Sequence, residues 1–430
     1  MHHFHYRDGI LHTEDVAVAD ITAAAGTPVY IYSTATITRH YQLFAAAMAK
    51  AADGAGRSHI FYAMKANSNI GVVETLAKLG SGADVVSEGE IRKAMRAGIP
   101  ANKIVFSGVG KTEAELAHAV DMDLYQINIE TEGELELLNR VATEKGKRQA
   151  AVFRVNPDVG AGGHAKITTG SADNKFGVSF EEAERLYARA ANMQGIAIKG
   201  LAVHIGSLIE ELDQLEAAFR RMRQVTSTIR ATGLSVERLD LGGGLGIPYR
   251  IPKNFTHGPD LINAYAAMVA TETKGLDVDL GFEPGRLIVG NAGILVTKVL
   301  FLNGRQNKQF LVVDAAMNDL IRPAMYEAYH EIWPVNEPSG SEKNIAYDVV
   351  GPICESGDTF AEGRHLPETR PGELIAFMTA GAYGASMAST YNLRPLVAEV
   401  MVSGSRFAIT RPRQTYEDLI QQDQSPRWQT

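Results

Sequence analysis

Ser58-His59-Ile60-Phe61-Tyr62-Ala63-Met64-Lys65-Ala66-Asn67-Ser68-Asn69-Ile70-Gly71 is an apolar, strand-like run that breaks at a lysine into a polar, glycine-containing segment. A helix-like stretch follows at 72–79, with apolar residues three and four apart. The same unit recurs along the chain. Runs at 82–86, 103–107, 123–129, 150–156, 199–205, 236–241 and 277–283 bring the count to eight, with helix-like stretches at 88–97, 112–120, 131–141, 179–191, 212–232 and 261–273 between them. Strand alternating with helix builds a parallel sheet, and eight such units over about 250 residues match a closed (β/α)8 barrel of the TIM type. A doubly wound open sheet is the alternative.

After Arg286 the rhythm changes. Segments at 294–302, 309–314, 345–350, 374–377 and 396–403 read as strands, separated by Pro, Gly and Asn and by few long helices. An all-β domain, a β-sandwich or β-barrel, is therefore expected after the α/β barrel. The stretch 27–32 is also strand-like and is expected to pair with this C-terminal part. The helix after it begins at Ser33 or Thr34, either of which can cap it. The expected division is a barrel domain over 33–286 and a β domain made of 1–32 and 287–430. The glycine-rich loop Gly160-Ala161-Gly162-Gly163-His164-Ala165-Lys166 is expected to be mobile. Segments 336–344 and 421–430 read as flexible and without a role.

Composition narrows the class. Hydrophobic residues at 45% with charged residues at 21% describe a globular protein, and no run reaches the roughly 18 apolar residues of a membrane span. The N-terminus, Met1-His2-His3-Phe4-His5-Tyr6-Arg7-Asp8, lacks a basic start followed by an apolar stretch, so a cytoplasmic location is expected. Its histidines sit where a terminus is expected to fray, so no metal site is assigned there. The single cysteine, Cys354, excludes an intramolecular disulfide. A net charge of -8 without long acidic blocks gives no support to nucleic-acid binding.

In barrels of this kind chemistry sits at the carboxyl ends of the strands. Here strand one ends in Lys65, strand six in His204-Ile205-Gly206-Ser207, strand seven in Gly242-Gly243-Gly244-Leu245-Gly246 and strand eight in Glu283-Pro284-Gly285-Arg286. A half-sheltered ammonium loses solvation, and the neutral amine it releases can form a Schiff base with an aldehyde. Clustered glycines let backbone N–H groups approach a phosphate. His204 can stack on a planar ring, and Glu283 can hold a proton on a pyridine nitrogen and so turn the ring into an electron sink.

These stretches resemble the fold-type III pyridoxal-phosphate-dependent decarboxylases, and among them the diaminopimelate decarboxylases. The likeness extends to Phe61-Tyr62-Ala63-Met64-Lys65-Ala66-Asn67, Gly82-Ala83-Asp84-Val85-Val86-Ser87-Glu88-Gly89-Glu90, Met317-Asn318-Asp319-Leu320-Ile321-Arg322-Pro323-Ala324-Met325-Tyr326, Gly351-Pro352-Ile353-Cys354-Glu355-Ser356-Gly357-Asp358 and Gly381-Ala382-Tyr383-Gly384. It implies that Lys65 carries pyridoxal 5'-phosphate and that His204 stacks on its ring. Ser207 with Gly243 and Gly244 would hold the phosphate, and Glu283, with Pro284, Gly285 and Arg286 beside it, would meet the pyridine nitrogen. Tyr383 would touch cofactor and substrate. The family further implies a head-to-tail homodimer in which Cys354 and Glu355 enter the other subunit's site, with the Cys354 thiol as proton donor. Racemases of related fold place an arginine at the ring nitrogen, so Glu283 favours decarboxylation.

Charge also bears on the substrate. Ornithine, lysine and arginine end in a lone cation, whereas diaminopimelate ends in a second carboxylate and ammonium. A site for it wants cationic forks and an acid. Arg286 and Arg322 supply forks, Tyr326 a hydroxyl and Glu355 the acid. The expected reaction is the conversion of meso-2,6-diaminopimelate to L-lysine and carbon dioxide. Alternatives are a decarboxylase for another basic or zwitterion-ended amino acid, of the ornithine, arginine or carboxynorspermidine type, and a pyridoxal-phosphate-binding regulator without catalysis.

Overall fold

The computed structural model of the chain describes residues 2–157, 175–209, 211–250, 259–306 and 308–429. The loop at 160–166, with His164, lies outside the described residues. Two compact units divide the chain: Thr38–Ile247 with Thr256–Leu287, and Met1–Ile37 with Pro248–Phe255 and Ile288–Thr430.

The first unit is the expected closed barrel. Strands Ser58–Ala63, Gly82–Val85, Ile104–Phe106, Gln126–Ile129, Gln149–Arg154, Ile196–Ala202, Arg238–Asp240 and Asp279–Phe282 pair in parallel in chain order. The last strand returns to the first, pairing Leu280 with Ser58 and Phe282 with Ile60, which rules out the open sheet. Several of the helices between the strands start at side-chain caps. Ser87, Thr112, Thr131 and Ser179 accept from the backbone N–H of Glu90, Glu115, Glu134 and Glu182, and each such cap is worth about 1 kcal/mol. These caps fix where those helices start, and hence the length of the loop that precedes each of them.

The second unit is built around a long strand, Gly293–Gly304, antiparallel to Val29–Ser33, Leu374–Phe377 and Gln309–Val313. Val29–Ser33 also pairs in parallel with Ala398–Ser403, so the N-terminal strand joins the C-terminal sheet as its sequence suggests. Ser33 caps the helix Thr34–Ala51, its Oγ accepting from the Thr36 N–H at 3.1 Å. Besides the N-terminal strands, three strands of this unit went unread: Ile332–Pro334, Thr359–Pro367 and Arg406–Arg411, the last two carrying charged residues that mask the apolar pattern.

The N-terminus corrects the expectation of fraying. Phe4–Arg7 and Ile10–Thr13 form an antiparallel hairpin, and His3 bonds Thr36 Oγ1 through both its N–H and its ring. Phe4 and Leu11 are buried in the core with Val29, Ile31, Ile294 and Val400. Burial of these two large apolar side chains, at about 1.5–3 kcal/mol each, contributes to holding the end in place, together with the hairpin's own hydrogen bonds. Segment 336–344 is held at both ends, Asn336 bridging to Ile10 and Asn344 opening the strand Asn344–Val350, with the Ser339 N–H on Glu342 Oε1 between, and 421–429 contains the short helical turn Arg427–Gln429. Among the described residues no helix is long and apolar enough to cross a membrane.

Candidate active site

Lys65 sits in the 3-10 turn Met64–Ala66, directly after the first barrel strand. Its Nζ donates to Asp84 Oδ2 at 2.6 Å, and the lysine side chain is 35% exposed whereas that of Asp84 is fully buried. A buried carboxylate thus aims the amine toward the barrel rather than into solvent. Strand eight's turn lies against the lysine turn: the Ala63 N–H donates to the Pro284 carbonyl at 3.1 Å. A Cβ on Gly285 would stand 3.0 Å from Ala66 Cβ and 3.2 Å from Ala63 Cβ, so the missing side chain permits this approach.

Glu283 and Asp240 are buried together in the barrel. Asp240 Oδ1 accepts the Gly242 N–H at 3.0 Å and its Oδ2 accepts Gln126 Nε2 at 3.1 Å. Gln126 donates to Asn128 Oδ1 as well, and Asn128 Nδ2 to Ser107 Oγ, both at 3.0 Å. Burial pushes the Asp240 carboxyl up to about 6, against the pull of the Gly242 N–H. Burial, then the charges of Asp240 and Asp84, push Glu283 well above the usual carboxylate range. Two carboxyls within hydrogen-bond reach share a proton. Glu283 Oε1 is buried with no partner among the described residues. An orphaned buried acceptor beside a strand-end lysine fits the ring nitrogen of pyridoxal phosphate, whose N–H is the donor this oxygen lacks.

His204 follows the sixth strand. The Gly243 N–H donates to its Nδ1 at 3.2 Å, and burial, then the charges of Arg154 and Lys65, hold its pKa well below the ordinary value. The ring is neutral and flat, as stacking on a cofactor requires. Arg154, at the end of strand five, pairs with Glu130 at 3.0 Å, lies over the Phe176 ring at 4.6 Å and reaches the His204 carbonyl at 3.4 Å. Glu130 in turn accepts the Gly177 N–H at 2.9 Å. The glycine loop is wedged between its neighbours: a Cβ on Gly243 would meet the Glu283 carbonyl oxygen, and one on Gly244, at φ +106°, that of Gly206. Since the Gly243 N–H is used on His204, a phosphate contact by the same N–H would compete with the histidine. Ser207 Oγ accepts from buried Arg286 Nη2 at 3.3 Å, which joins the serine expected at the phosphate to one of the expected forks.

Lys65, His204, Ser207, Gly243, Gly244, Glu283, Pro284, Gly285 and Arg286 therefore share the rim of the barrel unit. The β unit holds the other expected site residues. Arg322 opens the short helix Arg322–Tyr326; it is buried, whereas Tyr326 at the far end is half-buried. Cys354 and Glu355 share one exposed loop, where the Cys354 N–H donates to Asn392 Oδ1 at 3.1 Å. Asp358 pins that loop by accepting the Met317 and Ile353 N–H groups, each at 2.7 Å. Tyr383 is half-buried at φ +55°, in the loop after Leu374–Phe377.

Sequence reasoning overlooked Asp84, Asp240, Gln126, Arg154 and Glu130 as parts of the site. A signal was present: Gly82-Ala83-Asp84-Val85 carries a charge in an apolar strand, and Gln126-Ile127-Asn128-Ile129 alternates polar with apolar. In a closed barrel the alternate residues of a strand point into the interior.

Residues 34–290 match the family described as pyridoxal-dependent decarboxylase, pyridoxal binding domain. The diaminopimelate decarboxylase of Zymomonas mobilis subsp. mobilis is 45% identical over 427 residues, covering 99% of this chain and 99% of that protein. The diaminopimelate decarboxylase of Vibrio cholerae is 43% identical over 421 residues, covering 97% of this chain and 98% of that protein. Among solved structures, diaminopimelate decarboxylase from M. jannaschii in co-complex with L-lysine aligns with a TM-score of 0.92 at 34% identity, covering 98% of both chains.

Proposed function

The chain belongs to the pyridoxal-dependent decarboxylases, and on that premise we propose that it is a lyase converting meso-2,6-diaminopimelate to L-lysine and carbon dioxide, the last step of lysine biosynthesis. The observation that carries this at the site is the buried Glu283 Oε1, without a partner among the described residues, beside the Lys65 turn.

When bound, pyridoxal phosphate supplies a sink for the electron pair that departing carbon dioxide leaves behind. Lys65 is the residue that carries it, held at the rim by Asp84. Glu283 keeps a proton on the ring nitrogen, a duty supported by its burial and by its neighbour Asp240. His204, buried and neutral, would hold the ring by its face. Ser207, Gly244 and Arg286 hold the phosphate end, with Gly243 setting the histidine. Tyr383 would contact cofactor and substrate. Arg322 and Tyr326 take the substrate's distal carboxylate, and Glu355 takes its ammonium. Cys354 gives a proton to the α-carbon, which its exposed loop position permits. Cys354 and Glu355 act in the site of a second copy, so the working form is a homodimer. It works in the cytoplasm on a small amino-acid substrate.

The test is carbon dioxide release by purified protein with added pyridoxal phosphate, offered meso-diaminopimelate, lysine, ornithine and arginine in turn. Release from diaminopimelate alone is expected. Release from ornithine or arginine without release from diaminopimelate would overturn the substrate assignment.

A further inference from the structure

His330, in the β unit, is 2% exposed, and both ring nitrogens are engaged. Nδ1 lies 2.9 Å from the carbonyl oxygen of Met378, which can only accept, so Nδ1 carries the hydrogen. Nε2 is then a bare lone pair. At 2.8 Å from it stands Arg322 Nη1, which can only donate. These two neighbours select a single state of the imidazole, neutral and protonated on Nδ1.

Tyr249 completes the arrangement. Its ring lies under the Arg322 guanidinium at 4.4 Å and meets the His330 ring edge-on at 5.4 Å and 84°. The guanidinium is therefore gripped in its plane by a nitrogen lone pair and across its face by an aromatic ring. His330 is itself anchored, since Arg364 Nη1 donates to its main-chain carbonyl at 2.7 Å while stacking on Tyr329 at 4.2 Å. An arginine has several soft torsions, and a fork oriented before the substrate arrives loses less freedom on binding.

We propose that His330 is a positioning residue for substrate choice: as a fixed neutral acceptor it sets the rotation of the Arg322 guanidinium to meet a substrate's distal carboxylate. This rests on the assignment of Arg322 to that carboxylate. Loss of His330 should therefore weaken molecules that bear the carboxylate and spare those that lack it.

Two substitutions separate orientation from packing. His330→Asn keeps a donor within reach of the Met378 carbonyl but has no acceptor where Nε2 stood, whereas His330→Gln places an amide oxygen there. The competitors are L-lysine, which retains the carboxylate that is not lost, and 1,5-diaminopentane, which has none. With His330→Asn, the KM for meso-diaminopimelate and the inhibition constant for L-lysine should each rise about tenfold, the effect of one charged hydrogen bond misplaced. The kcat should stay within about twofold, and the 1,5-diaminopentane constant and the absorption of bound cofactor should not move. His330→Gln should recover most of the loss. Equal weakening of both competitors, a fall in kcat with KM unchanged, or no recovery with Gln would overturn the proposal. If the Asn variant yields no soluble protein, His330→Leu against His330→Gln carries the same contrast. Arg322→Ala separates the two levels. If it leaves lysine inhibition unchanged, the carboxylate assignment fails and this proposal with it; if it weakens lysine while His330→Asn does not, only the role of His330 fails.

Discussion

Replacing Asp240 by asparagine removes one of the two carboxyls that share a proton inside the barrel, and the effect on stability has a definite sign. Its carboxyl is raised from 3.8 to about 6 by burial. A group with a higher pKa in the folded than in the unfolded chain binds more protons when folded, at every pH between the two values. Its contribution is full at low pH and is lost as pH rises through about 6. Carried from 3.8 to about 6, the carboxyl makes the loss about 3 kcal/mol. Glu283, raised further, carries the same trend to higher pH. Asparagine does not titrate, but its amide nitrogen must face either the Gly242 N–H or Gln126 Nε2, at a cost of about 1–3 kcal/mol that does not depend on pH. Asp240→Asn should thus be the less stable protein near pH 4, and the gap should close or reverse by about pH 7. Urea unfolding of the apoprotein, followed by circular dichroism across that range, measures the gap directly. A gap of constant size would refute both the buried titration and the shared proton.

Lys65→Ala should abolish turnover and, on addition of pyridoxal phosphate, the visible absorption of covalently held cofactor; an unchanged spectrum would remove Lys65 from its role. Cys354→Ala should lower kcat by two or more orders of magnitude with cofactor affinity unchanged, as loss of a proton donor does, and an undiminished rate would move that task to another group. Gly243→Ala puts a methyl group onto the Glu283 carbonyl and should weaken cofactor binding at least tenfold by displacing that strand end. Equilibrium titration with pyridoxal phosphate, alongside the melting temperature, checks it.

The barrel was legible because its signals are local. Apolar runs, turn residues and helix periods lie within a dozen residues of one another, and Ser87, Thr112, Thr131 and Ser179 mark helix starts in the sequence itself. The hairpin at the N-terminus was not legible, because its strands are four residues long and owe their order to a core formed with residues near 294 and 400. The strand Thr359–Pro367 escaped notice for a related reason: Glu362, Arg364 and His365 interrupt its pattern, and pairing with Asn344–Val350 makes it a strand.

What the sequence determined by itself is the set of strand ends and the residue types standing on them, since period and turn chemistry are properties of neighbours along the chain. What only the tertiary structure decided is which of those groups act on one another. Lys65 and Asp84 stand 19 residues apart, Gln126 and Asp240 stand 114 apart, and closure of the barrel brings each pair within a hydrogen bond. Whether Glu283 carries a proton, and which way Arg322 is turned, depend on burial and on distances of about 3 Å. Those quantities exist only once the chain has folded, because desolvation and directional hydrogen bonding act through space and not along the sequence.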